Sequence, residues 1–268
     1  MNDMFFLKLQ IMRKILLALM VVIASPIIAA GSDQIYFYDP DAGVNAKSLK
    51  TAMTDFLKQA GVDANFQPFL EYQVLAEQIQ KTKPLLVLAP SVYFEELKAM
   101  SPVLIPEKDG TVTYKKAVVT LLDLKSLTDL KDKTVASTSE KFLELLAKKA
   151  EIPLNQIRFI LVKKDVDALL ALQVSKQVDA AIVKSSGIEQ FKKVNQEAAE
   201  RLKTLFEFDV GQPIFWAFKG TETTPAVKKI VDALINMPKS AEGMAVLNLL
   251  KYDAWRPFTE EYRNQILK

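Results

Sequence analysis

The residues best suited to hold a small polar molecule without reacting with it are Ser137, Thr138 and Ser139. They stand directly before residues 140–150, where Phe142, Leu145, Leu146 and Lys149 recur at helical spacing. A helix start offers free N–H groups and the positive end of the helix dipole, and hydroxyls add further donors, so the combination suits an anion. The same residues suit an ordinary helix cap worth about 1 kcal/mol, and Glu140 in the first turn opposes a bound anion. Both readings stand. Tyr38 and Tyr93 follow apolar runs and could stack on a ligand or hydrogen-bond it, or pack in the core. Tyr72 is a weaker candidate that also starts a helical pattern. Ser91 follows the apolar run 84–90. Asp179 could fix a loop, bind a cationic group or end a turn. Lys184, Ser185 and Ser186 follow the apolar run 180–183. Asp39 and Asp41 have no partner His or second acid at a spacing diagnostic of catalysis. No nucleophile motif, metal-ligand cluster or phosphate-cradling Gly loop is legible, so no cofactor and no metal is expected.

What is missing narrows the chemistry. The 268-residue chain contains no His and no Cys. Ser-His-Asp relays, His-containing zinc sites, Cys nucleophiles, thiolate metal sites, disulfides and Cys-linked lipid anchors are all excluded. Half of the residues are hydrophobic and a quarter charged, as in a packed globular protein. The length allows one large domain or two smaller ones. Binding is favoured over catalysis.

Residues 1–31 read differently from the rest. Lys8, Arg13 and Lys14 precede the unbroken apolar run 15–24; Ser25 and Pro26 break it; Ala29-Ala30-Gly31 ends it in small residues. This is the layout of a secretory signal peptide, cut after Ala30 or Gly31. The rival is an uncleaved anchor, which the short run and Pro26 disfavour. Removing the segment takes away three basic residues and one acid, so the formal net charge falls from +3 to +1. The remaining charges are interspersed, giving no basic surface for nucleic acid. A cysteine-free exported chain suits an oxidising compartment.

Strand and helix patterns then alternate. Residues 34–38, 64–70 and 84–89 read as strands, with helices at 45–60, 72–80 and 91–100. This βαβαβ order implies a parallel sheet with right-handed crossovers. Residues 103–105 and 111–122 read as strands around a turn. A second block follows: strands at 134–136, 157–162 and 180–183, and helices at 140–150, 165–174 and 188–201. Strands at 202–208 and 213–218, helices at 223–237 and 240–250, and an aromatic tail from Tyr252 complete the chain. Two α/β blocks joined by a strand going out and a segment returning imply two lobes: 32–120 with 209–268 as one, discontinuous, and 121–208 as the other. Ligands bind beyond the carboxyl ends of strands in open α/β sheets, which places Tyr38, Ser91, Tyr93 and residues 137–139 and 184–186 around a cleft.

Four stretches carry a family resemblance: the first strand, its loop and the helix ending Phe56-Leu57-Lys58-Gln59-Ala60-Gly61-Val62; Tyr72-Gln73-Val74-Leu75 with Leu86-Val87-Leu88-Ala89-Pro90-Ser91-Val92-Tyr93; Leu127 to Ala136; and Asp167 to Leu172 with Lys176 to Ala181. Together they resemble a type II periplasmic substrate-binding protein of the phosphate-, phosphite- and phosphonate-binding branch of ABC importers. The resemblance implies an α/β, two-lobed fold, each lobe a mostly parallel sheet flanked by helices. It implies capture of a small polar, anionic solute and its delivery to an ABC permease in the inner membrane; strand-end position and side-chain chemistry nominate Tyr38, Tyr72, Ser91, Tyr93, Ser137, Thr138, Ser139, Asp179 and Ser185 as the ligand contacts, and a monomer is expected. The family's Ser/Thr loop is usually longer and Gly-containing, and its phosphonate binders carry a His where this chain has Lys163-Lys164-Asp165. These departures motivate a second reading, an exported accessory or sensor-coupled module with an altered pocket. A third reading, an enzyme on the same fold, is opposed by the lack of His and Cys.

Overall fold

The computed structural model describes residues 33–174 and 177–266; the expected signal segment at 1–31 lies outside them. Strand β1 (Asp33–Phe37) runs into a loop and then helix α1 (Ala46–Gln59), whose first turn is capped by Asn45, its Oδ1 accepting from the Lys47 and Ser48 amides. Leu49, Met53, Phe56 and Leu57 recur every three or four residues and form the buried face of α1. Strand β2 (Ala64–Pro68), helix α2 (Tyr72–Thr82) and strand β3 (Leu86–Ala89) follow. β1 pairs in parallel with both β2 and β3, since a helical crossover returns each strand in the same direction.

Strands β4 (Met100–Glu107) and β5 (Thr113–Thr120) come next. Then come β6 (Thr134–Ser137), α3 (Glu140–Ala150), β7 (Arg158–Leu161), α4 (Asp165–Val174), β8 (Ala180–Lys184), α5 (Ser185–Val194) and α6 (Gln196–Glu200). The chain finishes with β9 (Lys203–Gly211), β10 (Ile214–Phe218), α7 (Pro225–Ile235), α8 (Ala241–Leu250), β11 (Ala254–Pro257) and α9 (Glu260–Ile266). The strands form two sheets, β11-β4-β10-β3-β1-β2 and β7-β6-β8-β5-β9.

The sheets are mixed, not mostly parallel. In the first, β10 is antiparallel to β3 and β4, and β11 is antiparallel to β4. In the second, β5 is antiparallel to β8 and β9. The cause is the chain's route: the strands that link the two sheets run against the βαβ strands they join. Against the expected division at 120/121 and 208/209, β5 pairs along its length with the second sheet, and the chain changes sheet within 108–112 and 212–213.

Both faces of each sheet are covered. Phe37, Leu57, Phe66, Leu247 and Trp255 belong to one core of the first sheet, and Tyr36, Leu75 and Trp216 to the other. Val118, Phe142 and Phe208 lie in one core of the second sheet, and Ala117, Leu169 and Phe191 in the other. Neighbours on one strand, such as Ala117 and Val118, divide between faces because side chains alternate.

Three further expectations change. The helix expected at 91–100 is a single 3-10 turn, Ser91–Tyr93. Residues from Met100 onward are drawn into the ladder with β10, a tertiary pairing that overrides local propensity. The helix expected at 188–201 breaks at Asn195, whose Oδ1 accepts from the Ala198 amide and caps α6. The tail contains β11, recruited to the free edge of β4.

Candidate functional site

The loops after β1, β3 and β6 meet between the two sheets. After β1, Asp39 Oδ1 accepts from the Asp41 amide at 3.0 Å and so folds the turn; Gly43, at φ 63°, reverses the chain where a side chain would be strained. After β3, the 3-10 turn presents Ser91 and Tyr93. After β6, Ser139 caps α3 by accepting from the Lys141 amide at 3.2 Å.

Three phenols form one side. Tyr72 stacks on Tyr93 with ring centroids 3.7 Å apart and planes 19° apart. Tyr38 meets Tyr93 edge-on at 6.0 Å. The Tyr93 hydroxyl lies 2.9 Å from Ser139 Oγ, joining the first sheet's loop to the second sheet's helix. Burial raises the pKa of Tyr38, Tyr72 and Tyr93, so these hydroxyls stay protonated at physiological pH.

The other side is charged. Lys116, on β5, is 0% exposed. A lysine so placed requires a counter-charge, because an unpaired buried ammonium is costly. Asp41 supplies it: Lys116 Nζ is 2.9 Å from Oδ1 and 2.8 Å from Oδ2. Thr138 Oγ1 donates to Asp41 Oδ1 at 2.7 Å and the Tyr114 hydroxyl to Oδ2 at 2.9 Å. Lys116 Nζ also lies 3.6 Å from Asp165 Oδ1 and 4.1 Å from the centroid of the Phe142 ring. Asp165 Oδ2 accepts from the Lys184 amide at 2.8 Å, and Lys184 Nζ lies 4.5 Å from the Tyr114 ring centroid. The Tyr252 hydroxyl reaches Asp39 Oδ2 at 3.4 Å.

These contacts divide the carboxylates. Burial pushes Asp41 upward, but Lys116, Lys184 and the Thr138 hydroxyl together hold it below its ordinary value. Asp39 and Asp165 move upward, because burial outweighs Lys184 at the first and Lys116 at the second. Among the described residues, no group of three acids is placed to hold a metal ion. No described helix is long and apolar enough to cross a membrane.

A sequence model of the family described as "ABC transporter, phosphonate, periplasmic substrate-binding protein" matches residues 41–262. The chain belongs to this family. It is therefore a periplasmic solute-capturing component of an ABC transporter. Among solved structures it is similar to a binding-protein component of an ABC phosphonate transporter from Pseudomonas aeruginosa, with TM-score 0.67 and 15% identity over 86% of this chain and 82% of that one. A Prochlorococcus marinus protein in complex with methylphosphonate gives TM-score 0.67 and 16% identity over 87% and 95%. A Xanthomonas citri protein bound to chloride gives 0.66 and 12% over 87% and 93%. At these identities the likeness concerns the fold. No curated protein matches the chain.

Of the family member's expected site residues, the structure brings together Tyr38, Tyr72, Tyr93, Thr138 and Ser139. Ser137 ends β6 beside them, 0% exposed, its Oγ without a hydrogen-bond partner among the described residues. Ser91 shares the loop of Tyr93, but its Oγ donates to the Gly211 carbonyl at 2.7 Å and ties the first sheet to β9. Ser185 opens α5 at the correct end of β8, yet its Oγ donates outward to Glu207 Oε1 at 2.8 Å. Asp179 is at the opposite end. It precedes β8, its Oδ2 accepts from the Thr134 amide at 2.8 Å where β6 begins, and its carbonyl accepts from Thr120 Oγ1 at 2.7 Å. Asp179→Ala is accordingly expected to cost about 1–3 kcal/mol of stability through the orphaned amide, with ligand affinity unchanged; urea unfolding and calorimetry on one preparation separate the two.

Lys116, Tyr114 and Asp165 escape a residue-by-residue reading of the sequence. The available signal was alternation: Tyr114, Lys116, Val118 and Thr120 share one face of β5, and a lysine among buried neighbours marks a partner to be found. A second link between the loops is Lys141 Nζ to Glu96 Oε1 at 2.6 Å.

Proposed function

We propose that the two lobes close on a small phosphonate- or phosphate-like oxyanion and that the closed form hands it to the permease. In this reading the lobes are the two sheets with their helices. Thr138, Ser139 and the α3 amino terminus, with Ser137 behind them, face the solute; Lys116 supplies the balancing charge; Tyr38, Tyr72 and Tyr93 wall off water. No bond is made or broken, and the mature chain acts as a monomer after cleavage near Ala30-Gly31. The observation that carries the reading is the convergence of Lys116 Nζ, Tyr114 OH and Thr138 Oγ1 on one oxyanionic group in a buried setting. Charge-assisted donors of this kind suit phosphonyl oxygens as they suit a carboxylate. The methylphosphonate bound by the Prochlorococcus marinus protein of like fold supports the ligand class.

The test is a thermal-shift and calorimetric series on the mature chain with methylphosphonate, phosphate, phosphite, sulfonates, carboxylates and amino acids. A true ligand stabilises the folded chain by about 2.7 kcal/mol at a hundred times its dissociation constant. Ser137→Ala combined with Thr138→Ala is expected to weaken binding about tenfold to a hundredfold, the worth of one hydrogen bond to a charged group. Silence across all oxyanions would remove the ligand class.

A further inference from the structure

Asp41 is the one first-sheet group held by all three of the second-sheet donors described above. It comes from the loop after β1, whereas Lys116 and Tyr114 are on β5 and Thr138 follows β6. Its carboxylate receives two contacts from Lys116 Nζ, at 2.9 and 2.8 Å, one from Thr138 Oγ1 at 2.7 Å and one from Tyr114 OH at 2.9 Å. Its side chain is 1% exposed. Both carboxylate oxygens are thus occupied by donors. The rest of the loop is preset for this reach: Asp39 holds the Asp41 amide and the Tyr252 hydroxyl holds Asp39.

A carboxylate is itself an oxyanion. The donors it uses are those that an external oxyanion would need, and two anions cannot share them, because like charges repel strongly where water is excluded. Lys116 cannot neutralise both, since Asp165 also draws on it at 3.6 Å.

Resting on the oxyanion reading above, we propose that Asp41 is a tethered internal ligand: its carboxylate fills the anion seat in the unliganded chain, ties the lobes together there, and must be displaced for a solute to bind. The seat then discriminates by competition. A monoanion with poor geometry loses to the tethered carboxylate, while a compact phosphonate with more oxygens and more charge displaces it. Apparent affinity scales with the fraction of molecules whose seat is free of Asp41, so self-occupancy lowers it.

Two measurements test this. Isothermal titration with methylphosphonate compares the unaltered chain with Asp41→Asn and Asp41→Ala; both variants are expected to bind at least tenfold more tightly. Hydrogen exchange on the unaltered chain needs no substitution and so survives a variant that fails to fold. Saturating methylphosphonate is expected to speed exchange of the Asp41 and Ala42 amides while slowing that of residues 138–141. If methylphosphonate binds the unaltered chain as tightly as the variants, or protects the Asp41 loop, the tether is refuted while the oxyanion reading stands. If methylphosphonate binds only the variants, the tether is confirmed as a block. If no oxyanion binds any of the three, the oxyanion reading falls and takes the tether with it.

Discussion

Lys116→Met is expected to lower stability by about 3–5 kcal/mol at neutral pH, the usual cost of removing one partner from a buried ion pair. Methionine keeps much of the lysine stem's volume and can pack against Phe142, so the loss reports charge more than packing. Without the ammonium, Asp41 keeps the Thr138 and Tyr114 hydroxyls as side-chain donors, while Asp39 and Asp165 each feel its charge. One nearby cation, Lys184, is left facing three carboxylates. The pH dependence should change sign as well. In the unaltered chain Asp41 titrates below its ordinary value of 3.8, so its stabilising contribution is present through the neutral range and is lost only as pH falls through that lowered pKa. In the variant burial acts unopposed by Lys116, the Asp41 pKa rises, and lowering the pH from neutral recovers stability by neutralising it. Adding Asp41→Asn to Lys116→Met is expected to restore at least half of the loss, because the carboxylate that lost its principal partner is then neutral and Lys184 faces only Asp39 and Asp165. Urea unfolding at two pH values resolves all of this; a loss under about 1 kcal/mol for the single variant would mean the pair is far better hydrated than its burial implies.

Gly243→Ala is expected to cost about 3 kcal/mol or more, at the upper end of the overpacking range, although alanine is the better helix former. Gly243 is in the first turn of α8, its amide bonded to Ser240 Oγ at 3.0 Å. A Cβ there would collide with the Met237 carbonyl oxygen and stand 2.7 and 2.8 Å from the Met237 carbonyl carbon and Cα. The obstacle is backbone, so no rotamer change relieves it. Either α8 moves out, drawing Val246 and Leu247 from the core they share with Leu49 and Met53, or the turn Met237–Lys239 distorts. For a chain of this size such a loss lowers the melting temperature by about 6–12 °C. A calorimetric scan showing a drop of under about 2 °C would show that the turn yields easily.

Different parts of the molecule were legible to different degrees. The βαβαβ opening was readable because each element is long enough to show its period: α1 buries Leu49, Met53, Phe56 and Leu57 at helical intervals, and β3 is four buried residues in a row. The Ser139 cap was readable for a local reason, since it needs only an amide two residues on. β11 was not readable. Its four residues carry too little alternation, and they become a strand because β4 offers an unpaired edge. Asp179, by its type alone, could bind a cationic group, fix a loop or end a turn; strand direction puts it at the amino ends of β6 and β8, far from the loops that follow them.

Composition and local pattern by themselves decided that this chain is an α/β protein without His or Cys chemistry, with hydroxyls and phenols in the loops beyond its strands. Those properties depend on residue type and on spacings of two to four. Only the tertiary structure decided which charges meet. Asp41 and Lys116 are 75 positions apart, and nothing near either residue records the other. Their pairing follows from β5 joining the second sheet while the β1 loop stays with the first, so that the packing of the lobes, and no local rule, sets a carboxylate against an ammonium where water cannot reach.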